Sequence, residues 1–355
     1  MKTWRSLRNT PQLWTRYFVR ETVIREIRAF FERQRFHEVE APILLAHPAA
    51  ESYLDVFETI LLDRARHPTR AYLSTSPEVA IKKLLVAGIG NSFSIQKSFR
   101  NTETGSDLHN PEFTILEWYR VGVDYRAIMK DCEQLLGAIN KKVNKTDGQT
   151  LTYQGKRVNL AAPWERLSVA QAFATWAHLN FDEFLDPKNA RHMAQKKGYK
   201  VEPNTTWEEL YNQIFLNEVE PHLGRGHPTI LFEFPGSMAA LARRKPTDPR
   251  FAERFEFYIE GLELGDCYSE LTDAKEQEAR FNHELKELKR LGKTTYDYDH
   301  DFIDALKVGM PDASGIAVGI DRLCMLFANV TDIAETMFFP VSELFEKPAQ
   351  GLKKT

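Results

Sequence analysis

Ser314-Gly315-Ile316-Ala317-Val318-Gly319-Ile320-Asp321-Arg322-Leu323 is a run of small and apolar residues that ends abruptly in an Asp-Arg pair. Glycine inside a strand marks a place where a ligand or another backbone comes close, and a guanidinium just beyond it suits a polyphosphate. The pattern then continues as a helix from Asp321 to Ala328. Two upstream stretches give this run its setting: Phe36-His37-Glu38-Val39-Glu40-Ala41-Pro42, and Ser98-Phe99-Arg100 through His109-Asn110-Pro111-Glu112-Phe113.

Working outward, Val23, Ile24, Ile27, Phe30 and Phe31 recur at helical spacing between Glu21 and Arg33. The chain turns extended at Val39. Tyr72 to Pro77 reads as a strand feeding a helix that runs towards Leu85, with Ser76 as its N-cap. Phe93-Ser94-Ile95 and Phe113 to Tyr119 alternate as a long-looped antiparallel hairpin, and residues 151–160 form a small one around Gln154-Gly155. A helical segment covers about 168–227. Strands resume at Thr229 to Pro235 and Ala252 to Ile259, followed by a charged helix at 274–291. Strands that return late in the chain imply an α+β fold with a mainly antiparallel sheet, split by an insertion.

Composition sets broad bounds. The 355 residues are 43% hydrophobic and 27% charged, with a net charge of -3 from 47 basic and 50 acidic side chains. Overall charge therefore gives no sign of a large polyanion-binding surface. Cys132, Cys267 and Cys324 are odd in number and form no CxxC pair, which points to reduced thiols in a cytoplasmic setting and to no metal cage. No apolar run is long enough to span a membrane.

Three sets of residues carry chemistry. Glu263 and Glu270 flank a glycine and could grip Mg²⁺, which takes a few carboxylates together with substrate phosphates. Arg100 and Arg322 follow different strands and could each hold two phosphate oxygens. Phe113, near the first arginine's strand, could stack on a purine.

In order and spacing these stretches resemble motifs 1, 2 and 3 of the class II aminoacyl-tRNA synthetases. The lysine-type core is the most similar, through His109 to Tyr119, Leu241 to Arg244, Arg254 to Ile259 and Ser269 to Asp273. The resemblance implies one class II catalytic domain over residues 1–355, a mainly antiparallel sheet flanked by helices, and ATP with Mg²⁺ as cofactors. It implies amino-acid activation as an adenylate. By position, Arg100 and Arg322 are the catalytic arginines, on the α- and γ-phosphates. Asn101, Thr102, Glu103, Asn110, Phe113, Glu263, Leu264 and Gly319 complete the ATP site, with adenine between Phe113 and the Arg322 plane. Ser76, Glu78, Glu117, Tyr119, Asp266, Glu270 and Ala317 line the amino-acid pocket, and Glu263 with Glu270 hold the metal. Motif 1 implies a homodimer.

Within that class the chain looks like the elongation factor P lysine aminoacylases. A first motif near residue 36 leaves no room for an anticodon-binding domain ahead of it, and Ser76-Pro77-Glu78, Glu117-Trp118-Tyr119 and Lys307 to Asp312 are similar to that family. Ala317 stands where tRNA-charging lysine enzymes have glycine. The implied reaction activates (R)-β-lysine or lysine and transfers it to a lysine side chain of elongation factor P, with tRNA binding not expected. The alternative is a truncated lysyl-tRNA synthetase-like enzyme. Asp266 in place of asparagine, an extra Thr102 and the 151–160 hairpin depart from the aminoacylase pattern.

Overall fold

The computed structural model describes residues 3–345. Its centre is an eight-stranded sheet built from β1 (His37–Glu38), β2 (Ser92–Phe99), β3 (Glu112–Val121), β4 (Glu165–Ser168), β5 (Thr229–Phe232), β6 (Arg254–Ile259), β7 (Leu262–Ser269) and β8 (Ala313–Gly319). The order across it is β1-β2-β3-β8-β7-β6-β5-β4. The interior pairs are all antiparallel, while β1 joins β2 and β4 joins β5 in parallel at the two edges.

Alternation along the strands sorts the side chains between two faces. Trp118, Ile316, Cys267 and Phe255 lie opposite one another in register on adjacent strands, and all four are buried in the main core. Their covering helices are α1 (Trp14–Arg33), α3 (Tyr125–Asn144) and α6 (Ile320–Ala328). Helix α3, which the sequence reading did not anticipate, starts at the Asp124 cap and buries Ile128, Met129, Cys132, Leu135, Leu136 and Ile139 at helical spacing. The intervening strand residues point to the opposite face and form the floor of the site.

Helix α2 (Glu78–Val86) follows the small sheet of Leu44–Leu45, Pro68–Leu73 and Glu58–Leu62. Its cap position is Pro77, not Ser76, although the Glu78 N–H still donates to Ser76 Oγ at 3.0 Å. The motif 1 strand is only two residues long, but the Val39 N–H extends its pairing to the Phe93 carbonyl at 2.8 Å. The hairpin predicted at 151–160 forms, with Gln154 and Gly155 both in the left-handed region of its turn.

The predicted helical insertion runs from Val169–Ala172 to Glu220–His222 and includes two π-helical segments, Phe173–Ala177 and Phe215–Val219. It buries a hydrophobic cluster of its own around Phe173, Phe181, Phe184, Tyr211 and Phe215. Helices α4 (Ala274–Arg290) and α5 (His300–Gly309) pack beside α2. Among the described residues no helix is long and apolar enough to cross a membrane.

Candidate active site

A cavity of about 610 Å³ lies on the open face of the sheet. Its floor consists of two rows of residues in register. One row is Glu117, Ala317, Asp266 and Glu256; the next is Tyr119, Gly315, Tyr268 and Arg254. Gly315 is required here, because a Cβ would come within 2.2 Å of the Tyr119 ring and 2.8 Å of a Glu270 oxygen. The Ala317 methyl sits between the carboxylates of Glu117 and Asp266 on neighbouring strands.

At the α2 end, the carboxylates are held by short polar contacts. Ser76 Oγ donates to Glu117 Oε1 at 2.6 Å, and the Tyr119 hydroxyl donates to Glu117 Oε2 at 3.2 Å. Lys82, wholly buried, lies 2.5 Å from both Glu78 and Glu270. Burial would lower the Lys82 pKa, but the two carboxylates outweigh it and hold the ammonium charged. One cation cannot compensate three buried carboxyls. Burial, with Glu78 adding repulsion, accordingly pushes Glu117 up to about 8, and burial pushes Glu270 up to about 7 despite Lys82.

Further along the floor, Arg254 binds Asp266 with two prongs, Nε at 2.9 Å from Oδ1 and a terminal nitrogen at 3.0 Å from Oδ2. It also donates to Glu256 at 2.6 Å and to the Met238 carbonyl at 2.8 Å. The Tyr268 hydroxyl donates to Asp266 at 2.6 Å. The charge that replaces the expected asparagine is therefore matched inside the protein by Arg254.

The proposed metal pair requires correction. Glu263 and Glu270 stand seven residues apart along and just beyond the extended strand β7, about 23 Å at roughly 3.3 Å per residue, so they cannot share an ion held at about 2 Å. Glu270 belongs with Lys82. Glu263 acts instead on Glu256, whose pKa burial raises to about 8 with Arg254 opposing and Glu263 adding repulsion, and also on Glu103, Glu220 and Asp266. Glu256 and Glu263 both line the cavity on the two strands of the β6–β7 hairpin, Glu256 opposite Asp266 and Glu263 opposite Tyr258, so this pair could hold a divalent cation. Among the described residues no group of three or more His, Cys, Asp or Glu side chains forms a metal cage.

Arg100 and Arg322 both line the cavity. The Arg100 guanidinium sits 5.2 Å from the centre of the Phe113 ring and 4.0 Å from Glu103. Arg322 donates to the Glu263 carbonyl at 2.8 Å and faces His109 Nε2 at 2.8 Å. Arginine only donates, so His109 Nε2 accepts and its proton sits on Nδ1, 3.0 Å from Ser106 Oγ. Burial and Arg322 keep the His109 pKa low. Next to Arg322, Asp321 turns inward, accepting from the Thr114 N–H at 2.6 Å and pairing with Arg20 of α1. A Cβ on Gly319 would meet nothing nearer than 3.9 Å, which leaves room above its backbone.

The cavity brings together Ser76, Glu78, Arg100, Glu103, Asn110, Phe113, Glu117, Tyr119, Glu263, Leu264, Asp266, Glu270, Ala317, Gly319 and Arg322. Asn101 and Thr102 are not part of it. The Asn101 N–H bonds the Asp55 carbonyl at 2.7 Å, and Thr102, at φ 67°, turns its hydroxyl to Asp55. Asn110 lines the cavity while its amide donates to the Glu112 carbonyl at 2.6 Å and accepts from the Val341 N–H at 3.0 Å.

Sequence reasoning missed Lys82, Glu256, Arg254, Tyr268 and Glu51. Arg254 and Glu256 lay within a quoted motif, and their alternation on one strand was the available signal. Lys82 stands one helical turn after Glu78, where pairing was foreseeable. Nothing local marks Glu51, whose carboxyl burial and Glu78 push up to about 7.

The family model of class II tRNA synthetases (D, K and N) matches residues 2–343. The chain is 37% identical over 343 residues to the elongation factor P–(R)-β-lysine ligase of Salmonella arizonae, covering 96% of this chain and 98% of the relative. The corresponding ligase of Haemophilus influenzae is 36% identical over 330 residues, 91% and 94% of the two chains. The lysine–tRNA ligase of Chloroflexus aurantiacus is 34% identical over 324 residues, covering 90% of this chain. The match spans only 64% of that relative's length. The chain belongs to the class II tRNA synthetase family.

Proposed function

We propose that this member of the class activates (R)-β-lysine, or lysine, as an aminoacyl-adenylate and transfers it to a lysine side chain of elongation factor P. Family membership supports an ATP-dependent ligase. The observation that carries the finer reading is the Glu117-Ala317-Asp266 row, with Glu78 and Glu270 beside it and the two arginines farther along the same cavity. Carboxylates suit a substrate with two ammonium groups, and forked guanidiniums suit phosphate. The nearly end-to-end match to the elongation factor P ligases supports the acceptor.

In the first step the amino acid's carboxylate oxygen attacks the α-phosphorus of ATP, and the bond to the departing pyrophosphate breaks. Arg100 binds the α-phosphate and Arg322 the γ-phosphate, so charge is met where it develops. Phe113 and the Arg322 plane hold adenine over the open backbone at Gly319 and beside Leu264. Glu256 and Glu263 would hold Mg²⁺, which would supply charge neutralisation for the phosphates. Glu78, Glu117 and Glu270 fix the ammonium groups, and the Ala317 methyl sets the depth of the pocket.

In the second step an acceptor amine, having lost a proton to solvent, attacks the adenylate carbonyl. A C–N bond forms, the C–O bond to AMP breaks, and the remaining excess proton leaves to water. We assign no general base. A cytoplasmic homodimer with α1 and β1 at its interface completes the reading; the three free, buried cysteines suit that compartment.

Pyrophosphate exchange with lysine and (R)-β-lysine, followed by transfer to elongation factor P or to tRNA, tests this. Exchange with (R)-β-lysine and labelling of elongation factor P are expected. Absence of exchange with either amino acid overturns the ligase reading, and lysine activation with tRNA charging alone replaces it with the alternative.

A further inference from the structure

The insertion does more than cover the sheet: its helix Trp207–Ile214 places Glu208, Tyr211 and Asn212 on the wall of the cavity, with Phe215 just beyond. A capping box between Thr206 and Glu209 fixes the start of the helix, and Trp207 Nε1 anchors it to the Phe184 carbonyl at 2.8 Å. The Tyr211 ring is clamped in the insertion's own core, stacked on Phe173 at 5.1 Å and on Phe215 at 5.6 Å. Only 1% of the residue is exposed, yet its hydroxyl has no hydrogen-bond partner. A buried phenol is ordinarily satisfied. Among the described residues Glu208 and Asn212 also lack any side-chain hydrogen bond or ion pair.

We propose that this wall receives the primary amine of the acceptor, with the Tyr211 oxygen as the contact nearest the reacting carbonyl; the inference rests on the amine-transfer reading above. Three observations favour an amine over a phosphate. The side chains form a graded path, Asn212 exposed, Glu208 half-buried and Tyr211 buried, as a long side chain entering from a protein surface needs. The acidic group of the wall itself is Glu208, unpaired among the described residues, whereas Glu256 near Tyr211 is paired with Arg254 and Glu263 with Arg322. Negative charge of this kind attracts an ammonium and repels phosphate. Finally, the phosphate-binding arginines Arg100 and Arg322 come from the sheet and the motif 3 helix, not from this wall.

Tyr211→Phe keeps the ring stack and deletes only the hydroxyl, and Glu208→Gln deletes only the charge. Each variant is to be compared with the full-length wild type in amino-acid-dependent pyrophosphate exchange and in transfer to elongation factor P. The expected result is exchange within about twofold of wild type. Transfer kcat/KM should fall roughly 10-fold, the loss lying mainly in the KM for the acceptor protein, as expected for a hydrogen bond to a charged group. Equal losses in both half-reactions, a shifted Mg²⁺ requirement, or no change in either would overturn the assignment. If the wild type itself activates the amino acid but does not label elongation factor P, the proposed function fails, and the acceptor assignment with it.

Discussion

Lys82 and Glu270 meet at 2.5 Å with their side chains 0% and 1% exposed, and the same ammonium reaches Glu78 at 2.5 Å. This pair supports the amino-acid end of the cavity from behind. It also explains why Glu270 cannot serve as a metal ligand alongside Glu263.

Lys82→Met should therefore be strongly destabilising, because it leaves buried carboxylates without their cation. The expected loss is about 3–5 kcal/mol in denaturant unfolding. Adding Glu270→Gln should recover part of it. A double variant no more stable than the single one would show that the pair is not the source of the effect.

The metal assignment separates two sets of glutamates. Glu256→Gln or Glu263→Gln should raise the Mg²⁺ concentration needed for half-maximal pyrophosphate exchange by roughly 10-fold, as for loss of one of few charged ligands. Glu270→Gln should raise the amino-acid KM and leave the Mg²⁺ requirement in place. A Mg²⁺ shift in the Glu270 variant, and none in the Glu256 variant, would restore the pair read from the sequence.

Ala317→Gly removes the methyl between Glu117 and Asp266 and deepens the floor of the pocket. The ratio of kcat/KM for (R)-β-lysine over lysine should move towards lysine by roughly 10-fold, the scale of one methyl in a specificity pocket. Glycine within the strand should cost about 0.5–1 kcal/mol of stability. Unchanged selectivity in the exchange assay would remove Ala317 from the specificity determinants.

Protonation gives a fourth test. Glu117 and Glu256 at about 8 and Glu270 at about 7 lie above the ordinary carboxyl value of 4.5. The folded chain thus holds protons that the unfolded chain has released, and stability falls as pH rises from about 4.5 to about 8. A substrate with two ammonium groups favours the ionised carboxyls, so binding at pH 7 should release protons. Calorimetry in buffers of different ionisation enthalpy reads this directly. An apparent binding enthalpy independent of buffer would contradict it.

Much of this was legible in the sequence because the signals are local. Period-two alternation in Phe113 to Tyr119 and Arg254 to Ile259 specifies strands whose neighbouring residues face opposite sides. The run ending in Asp321-Arg322 contained the logic of its end, with the aspartate turned to the core and the arginine to the cavity. Asn101 and Thr102 lie outside the cavity for the opposite reason: position in a motif does not say which way a side chain turns, and the loop after Arg100 bonds to Asp55 instead.

The sequence by itself determined the strand alternation, the order of the three motifs and the two arginines that line the cavity. The tertiary structure alone decided which carboxylates act together. Glu263 and Glu270 stand seven positions apart along and beyond one strand, whereas the β6–β7 hairpin brings Glu256 onto the neighbouring strand, opposite Asp266 and two positions before Tyr258, the register partner of Glu263. The same holds for Tyr211, more than forty positions from Arg254 in the chain (254 − 211 = 43), and for Lys82 beneath Glu270. Distance in sequence carries no information about such meetings, because packing of the sheet, α2 and the insertion against one another brings these groups to a single cavity.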